Sequence, residues 1–195
     1  MESQPSRKEL SHERIVDAAA RAIRRGGFGG VGVADVMKEA GLTHGGFYAH
    51  FESRDALLAE ALERAGRDSA ERIAKSSAHR QAKGASPFKA LVDGYLAEAH
   101  LTSPESGCPV AALASEMPRQ APQVQQAAAQ RVRNLVARVE AALTPAAPAD
   151  AAGLVAAQLV GALQLARALG DNAQGKALLA ATRRSLAAQY DTPGR

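Results

Sequence analysis

The chain of 195 residues holds one cysteine, no tryptophan, three tyrosines and four phenylalanines. A lone cysteine, Cys108, excludes an internal disulfide framework, a cysteine-rich zinc module and an iron–sulfur cluster. With aromatics at only 4%, a core has to be assembled from leucine, valine, isoleucine and much alanine. Alanine and leucine favour helices, and strand formers are thinly spread. No apolar run reaches the ~18 to 20 residues expected of a membrane span, and the opening MESQPSRKELSHERI lacks the apolar stretch of a secretory signal. A soluble, cytoplasmic protein with no membrane partner is therefore expected. His12, His44, His50, His79 and His100 include no pair spaced i, i+4, so no metal site is expected and no cofactor is implied. A Gly-rich phosphate loop, a nucleophile elbow and a paired-carboxylate motif are also missing.

The formal net charge of +4 admits an acidic partner such as nucleic acid. Residues 1–55, however, hold eight Lys/Arg against eight Asp/Glu, so the surplus lies wholly in the remainder. DNA binding must then rest on geometry, not on bulk charge.

Apolar periodicity and punctuation give nine helices and no strand, an all-α chain. The first helix is expected from Ser11, with Leu10 stapled onto Ile15, an apolar stripe of Ile15, Ala19, Ala22 and Ile23, and an end at Gly26–Gly27. Arg24 and Arg25 sit in its favourable last turn. VADVMKEAG forms a second helix of about two turns, between Gly32 and Gly41. Thr43 is placed to cap a third short helix, HGGFYAHF, and Leu42, Phe47 and Phe51 close a miniature core. Two short helices joined by a Gly-containing turn make a helix-turn-helix. Ser53 then caps a long helix from Arg54 to around Arg80. Further helices start at Ser86–Pro87, Pro109 and Pro122, the last reaching roughly Leu143, and two more span about 150–169 and 173–190.

The spacing Ala40-Gly41-Leu42-Thr43, Gly46-Phe47-Tyr48, His50-Phe51, Arg54-Asp55 and Leu57-Leu58 resembles the DNA-binding segment of the TetR/AcrR-type bacterial transcriptional regulators. The resemblance covers about residues 11–60. It implies a helix-turn-helix DNA-binding domain at 1–53 and a helical effector-binding and dimerisation domain at 54–195. It also implies a homodimer on a partly palindromic double-stranded operator, a small-molecule effector, and most often repression. In one respect the chain departs from the pattern. The position before the second helix, usually Ser or Thr, is Gly32, which offers no hydroxyl to DNA.

Recognition helices present their leading residues to base edges and phosphates. Thr43 either caps or bonds a phosphate, and His44 either reaches the DNA or stays solvated. Gly45 and Gly46 permit close approach of backbone to DNA. Tyr48 follows the core residue Phe47 and points away from the core, where its phenol can donate to a phosphate. His50 does likewise or makes a structural hydrogen bond. Arg54 sets a cation at a helix N-terminus beside the DNA backbone. Lys38, Lys8 and Arg7 add candidate phosphate contacts.

In the larger domain, Phe88, Leu91, Tyr95, His100, Cys108, Met117 and Gln164 are candidates for an effector pocket, since sparse polar groups orient a ligand in an apolar cavity. Cys108 precedes Pro109 at an expected helix start, and SGCPVAALASE resembles a segment of a family subset whose cysteine senses oxidants or electrophiles. A small buried residue at the pocket wall is the competing reading. Leu154, Leu159, Leu163, Leu165, Leu178, Leu179 and Leu186, mixed with alanines and Gly161, suit either a dimer bundle or a core within one subunit. Two other classes remain open from sequence: a helical small-molecule carrier without specific DNA binding, and a Cys108-dependent enzyme.

Overall fold

The computed structural model describes residues 5–191, and among these there is no strand. Helix α1 spans Arg7–Gly26, one turn earlier than expected, because Ser6 rather than Ser11 caps it. The Glu9 amide donates to the Ser6 hydroxyl at 3.2 Å and the Ser6 amide to the Glu9 carboxylate at 2.6 Å, so two free donors are satisfied at once. Leu10 stays 47% exposed instead of acting as a staple. Gly27, at φ 73°, ends the helix in a conformation that a side chain would strain.

Helix α2 (Val33–Glu39) follows Gly32, which supplies no side-chain cap. The third expected helix is a 3-10 segment, His44–Ala49. Gly45 and Gly46 are weak helix formers, and the tighter i→i+3 pattern takes over. This also corrects the expected cap. The Thr43 hydroxyl makes no capping bond, because the Gly46 amide it would have satisfied donates to the Thr43 carbonyl at 3.0 Å. Ser53 does cap α3 (Arg54–Gln81), accepting from the Ala56 amide at 3.0 Å.

The expected helix after Ser86–Pro87 is divided into α4 (Pro87–Tyr95) and α5 (Glu98–Thr102). Short α6 (Pro109–Leu113) and a 3-10 turn, Met117–Arg119, lead into α7 (Pro122–Ala142), α8 (Ala151–Leu169) and α9 (Ala173–Tyr190). Each of α4, α6 and α7 begins with proline, whose missing amide is not needed at that position.

Helix α1 packs on α3, α3 lies between α4 and α7, and α8 packs on α9 and α7. The core of α1, α2 and the 3-10 segment, with Ile15, Ile23, Phe28, Met37, Phe47 and Phe51, runs through Leu58 and Leu62 of α3 into that of the larger lobe. α3 thus belongs to both lobes. By length and composition alone, the 19-residue α8 is apolar enough to span a membrane, contrary to the sequence expectation. Its inner face is core: Val155, Leu159, Leu163 and Ala166 are buried. Leu179 and Leu186 of α9 are also buried, whereas Leu154 and Leu165 stand exposed. The leucines that suited either core or interface therefore fall into two groups.

Candidate nucleic-acid interface and the cavity behind it

Phe47 and Tyr48 are adjacent and face opposite ways. Phe47 is 2% exposed and stacks on Phe51 at 5.6 Å, while Tyr48 is 76% exposed with its ring edge-on to Phe47 at 5.2 Å. Thr43, His44 and Gly45 are exposed as well, as is Lys38 in the last turn of α2, and Gly46 is half-buried. A Cβ built at Gly45 would meet nothing within 4 Å, so packing does not require glycine there. The 3-10 segment and its N-cap Thr43 thus leave a hydroxyl, an imidazole, bare backbone and a phenol exposed to solvent.

Two candidates are placed otherwise. Arg54 donates from Nε to the Val31 carbonyl at 3.2 Å and from a terminal nitrogen to the Phe28 carbonyl. Those carbonyls lie in the glycine-rich turn between α1 and α2, which has no helical partners for them, so the guanidinium clamps that turn. His50 is half-buried, its ring 6.0 Å from that of His12 on α1, and its Nδ1 is buried without a partner. Burial, with the nearby His12 and Lys8, lowers its pKa below the ordinary histidine value. His12 in turn stacks on Phe51 at 4.5 Å and meets the Glu60 carboxylate at 2.7 Å, tying α1 to α3.

In the larger lobe Tyr95, His100 and Cys108 come together. His100 Nδ1 lies 2.7 Å from the Tyr95 carbonyl, the Cys108 amide donates to His100 Nε2 at 2.9 Å, and the Tyr95 and His100 rings meet edge-on at 4.9 Å. An Nε2 that accepts leaves the proton on Nδ1, which donates to the carbonyl. Burial lowers the His100 pKa to about 4, so the ring is neutral at physiological pH. The Tyr95 hydroxyl is fully buried without a partner, and burial raises its pKa well above the ordinary value. Cys108, 5% exposed, borders a cavity of about 110 Å³ between α3 and α7. Leu91 borders a second cavity of about 230 Å³. Phe88 packs against Tyr190 at 5.9 Å, Met117 is buried at the start of its 3-10 turn, and Gln164 is half-buried on α8. None of these three borders either cavity, although Phe88 and Met117 belong to the same buried cluster as Tyr95 and Cys108.

Two links between the lobes escaped the sequence reading. Arg24, read there only as a last-turn cation, is 5% exposed. It donates to the carbonyls of Ala20 at 2.9 Å, Gly107 at 3.3 Å and Ala65 at 3.4 Å, and pairs with Asp68 at 3.4 Å. Its signal was present, since Val16, Ala20 and Arg24 form one i, i+4, i+8 ridge. The second link joins the Phe28 amide to the Glu116 carboxylate at 2.9 Å, a long-range contact with no local signature.

Comparison with known proteins gives a consistent result. Residues 15–61 match the family described as bacterial regulatory proteins, tetR family. An uncharacterised HTH-type transcriptional regulator of Mycobacterium tuberculosis is 32% identical over 170 residues, covering 82% of this chain and 85% of that protein. The fold is similar to the reduced form of NemR from E. coli, with a TM-score of 0.77 at 20% identity over 95% of this chain and 99% of the other. It is also similar to a TetR transcriptional regulator from Chloroflexus aurantiacus, with a TM-score of 0.72 at 22% identity over 93% and 94% of the two chains.

Proposed function

The chain belongs to the TetR family of bacterial regulatory proteins and is a DNA-binding transcriptional regulator rather than an enzyme, and we propose that it is a dimeric, ligand-responsive repressor acting in the cytoplasm, where its DNA is. The observation that carries this reading is the outward face of His44–Ala49, where Tyr48 is 76% exposed beside a buried Phe47. We assign Thr43, His44, Gly45, Gly46 and Tyr48 to the major groove and its flanking phosphates, with Lys38 on the neighbouring backbone. Arg54 and His50 support this edge from behind. Residues 1–53 form the DNA-binding domain and 54–195 the effector and dimerisation domain. The exposed Leu154, Leu165 and Leu169 of α8, with Gly161 open to approach, form the surface for a second copy.

The segment from Gly107 to Glu116 couples the lobes. Gly107 is bonded to Arg24 and Glu116 to the Phe28 amide, while Cys108 between them borders the α3/α7 cavity. An effector that binds one placement of this segment better than another shifts α1, and with it the recognition edges of the dimer. Oxidation or alkylation of Cys108, which borders the cavity, would act on the same segment.

Selection of genomic fragments by the full chain, followed by footprinting, tests the proposal. The expected footprint holds two related half-sites, centred about 34–36 Å apart or a multiple of that. Uniform, sequence-independent retention would instead favour a carrier that has lost specific DNA binding.

A further inference from the structure

The walls of the α3/α7 cleft hold cations that lack counter-charges. The cavity of about 110 Å³ is bounded by Gly66–Ile73 of α3, Cys108–Val110, and the Arg131–Arg138 stretch of α7. The cavity of about 230 Å³ shares Ile73 and Arg138 with it and continues past Leu91 to Ala141 and Ala142. No residue lining either is acidic. Two other inward arginines are paired, Arg24 with Asp68 at 3.4 Å and Arg64 with Asp17 at 2.9 Å and Asp68 at 3.1 Å, while Arg167, outside this cleft, donates to the His100 carbonyl at 2.7 Å. Among the described residues Arg131 and Arg138 form no ion pair, and Arg131 Nε is buried without a hydrogen-bond partner. A partly buried guanidinium with no carboxylate is costly unless an anion arrives.

The position of Arg131 is built in. Gly66 lies inside α3, where glycine weakens a helix. A Cβ there would lie 2.6 Å from Arg131 Cδ and 2.8 Å from its Nη1, so the missing side chain is what lets Arg131 lie across α3. Burial also lowers the pKa of Arg138, in keeping with a cation held partly out of water. Beyond Arg138 the cleft is mainly apolar, with Ala74, Pro87, Leu91, Ala141 and Ala142 alongside the uncharged Ser77 and Gln81.

We propose that the cleft binds an amphipathic organic anion, its head on Arg131 and Arg138 beside Cys108 and its apolar chain running toward Leu91 and Ala141. This rests on the reading of the larger lobe as an effector site and names the effector's chemical class. A carboxylate and a phosphate monoester satisfy the same pair of guanidiniums.

Calorimetric titration of the full chain with the straight-chain carboxylates from hexanoate to dodecanoate, the matched primary alcohols and the matched alkyl phosphates tests it. At least one anion should bind tenfold or more tightly than its alcohol, and the stronger of the two anionic heads identifies the source. Arg138→Gln should bring acid and alcohol within about twofold, Arg131→Gln should act in the same direction, and Gly66→Ala should weaken anion binding alone by displacing Arg131. Equal affinity for anions and alcohols, no binding of any anion in the series, or undiminished preference in both arginine variants overturns the proposal. An anion that binds as described yet leaves DNA affinity unchanged keeps the anion site and refutes ligand-responsive regulation.

Discussion

Neighbouring positions serve opposite ends in the two working regions. At the recognition edge the backbone satisfies itself within three residues, so Thr43, His44 and Tyr48 have hydrogen-bonding capacity directed outward. Around Cys108 the polar groups are turned inward, onto one another and onto carbonyls of distant helices: His100 on Tyr95 and Cys108, Arg24 on Ala65 and Gly107. The first arrangement suits a surface that must meet a partner without reorganising. The second suits a segment whose displacement is felt elsewhere, since each of its bonds reaches another element.

Substitutions that separate the two regions sharpen this contrast. The largest effect is expected from Phe47→Ala, which empties a core site 2% exposed and should cost about 3–5 kcal/mol in chemical denaturation. Its neighbour, Tyr48→Ala, should stay within about 0.5 kcal/mol of the parent in the same experiment. Comparable losses at both positions would break the distinction between inward and outward faces. Arg24→Ala leaves the Ala65 and Gly107 carbonyls without their buried donor and should cost about 2–4 kcal/mol. A loss below about 1 kcal/mol would show that Arg24 does not hold the Gly107 end of the coupling segment.

The pH dependence of folding examines the buried cluster more gently. His100 titrates near 4 in the fold and near 6.5 when unfolded. Between those values the unfolded chain binds the extra proton, so stability is complete above about 6.5 and falls as pH drops toward about 4. The loss assigned to His100 is on the order of 3 kcal/mol. His100→Gln should flatten that part of the stability curve, and an unchanged slope would place the neutral ring elsewhere. The smallest effect is Tyr48→Phe, which keeps the fold and loses one hydroxyl. Its DNA affinity should fall by about 0.5–1.5 kcal/mol, nearly evenly across DNA variants, as read by fluorescence anisotropy.

What the sequence showed follows the range of the interactions involved. The nine-helix, all-α reading rests on local signals, and α2, α3 and the two last helices lie within a residue or two of expectation. The errors were local competitions between good candidates. Ser6 with Glu9 outdoes Ser11 as a cap, and two glycines turn the third helix into a 3-10 segment. The Phe47/Tyr48 division was also legible, because adjacent residues on a short helix cannot both face one core. The cavity was legible only in part. Tyr95, His100 and Cys108 meet through a turn, whereas Arg131 and Arg138 enter the cleft only because α7 crosses α3 at Gly66. Arg24 and Glu116 likewise acquire their partners from 41 to 88 residues away. Spacing within one helix cannot announce such partners.

The most direct test of the recognition edge is the affinity of His44→Ala/Tyr48→Phe for the footprinted duplex, measured beside a shuffled duplex and an unfolding curve. With fold stability within about 0.5 kcal/mol of the parent, specific affinity should fall at least about tenfold, which is about 1.4 kcal/mol. The gap between operator and shuffled duplex should also narrow. A folded double variant that binds the operator as tightly and as selectively as the parent would contradict the assignment of His44–Ala49 as the DNA-reading surface.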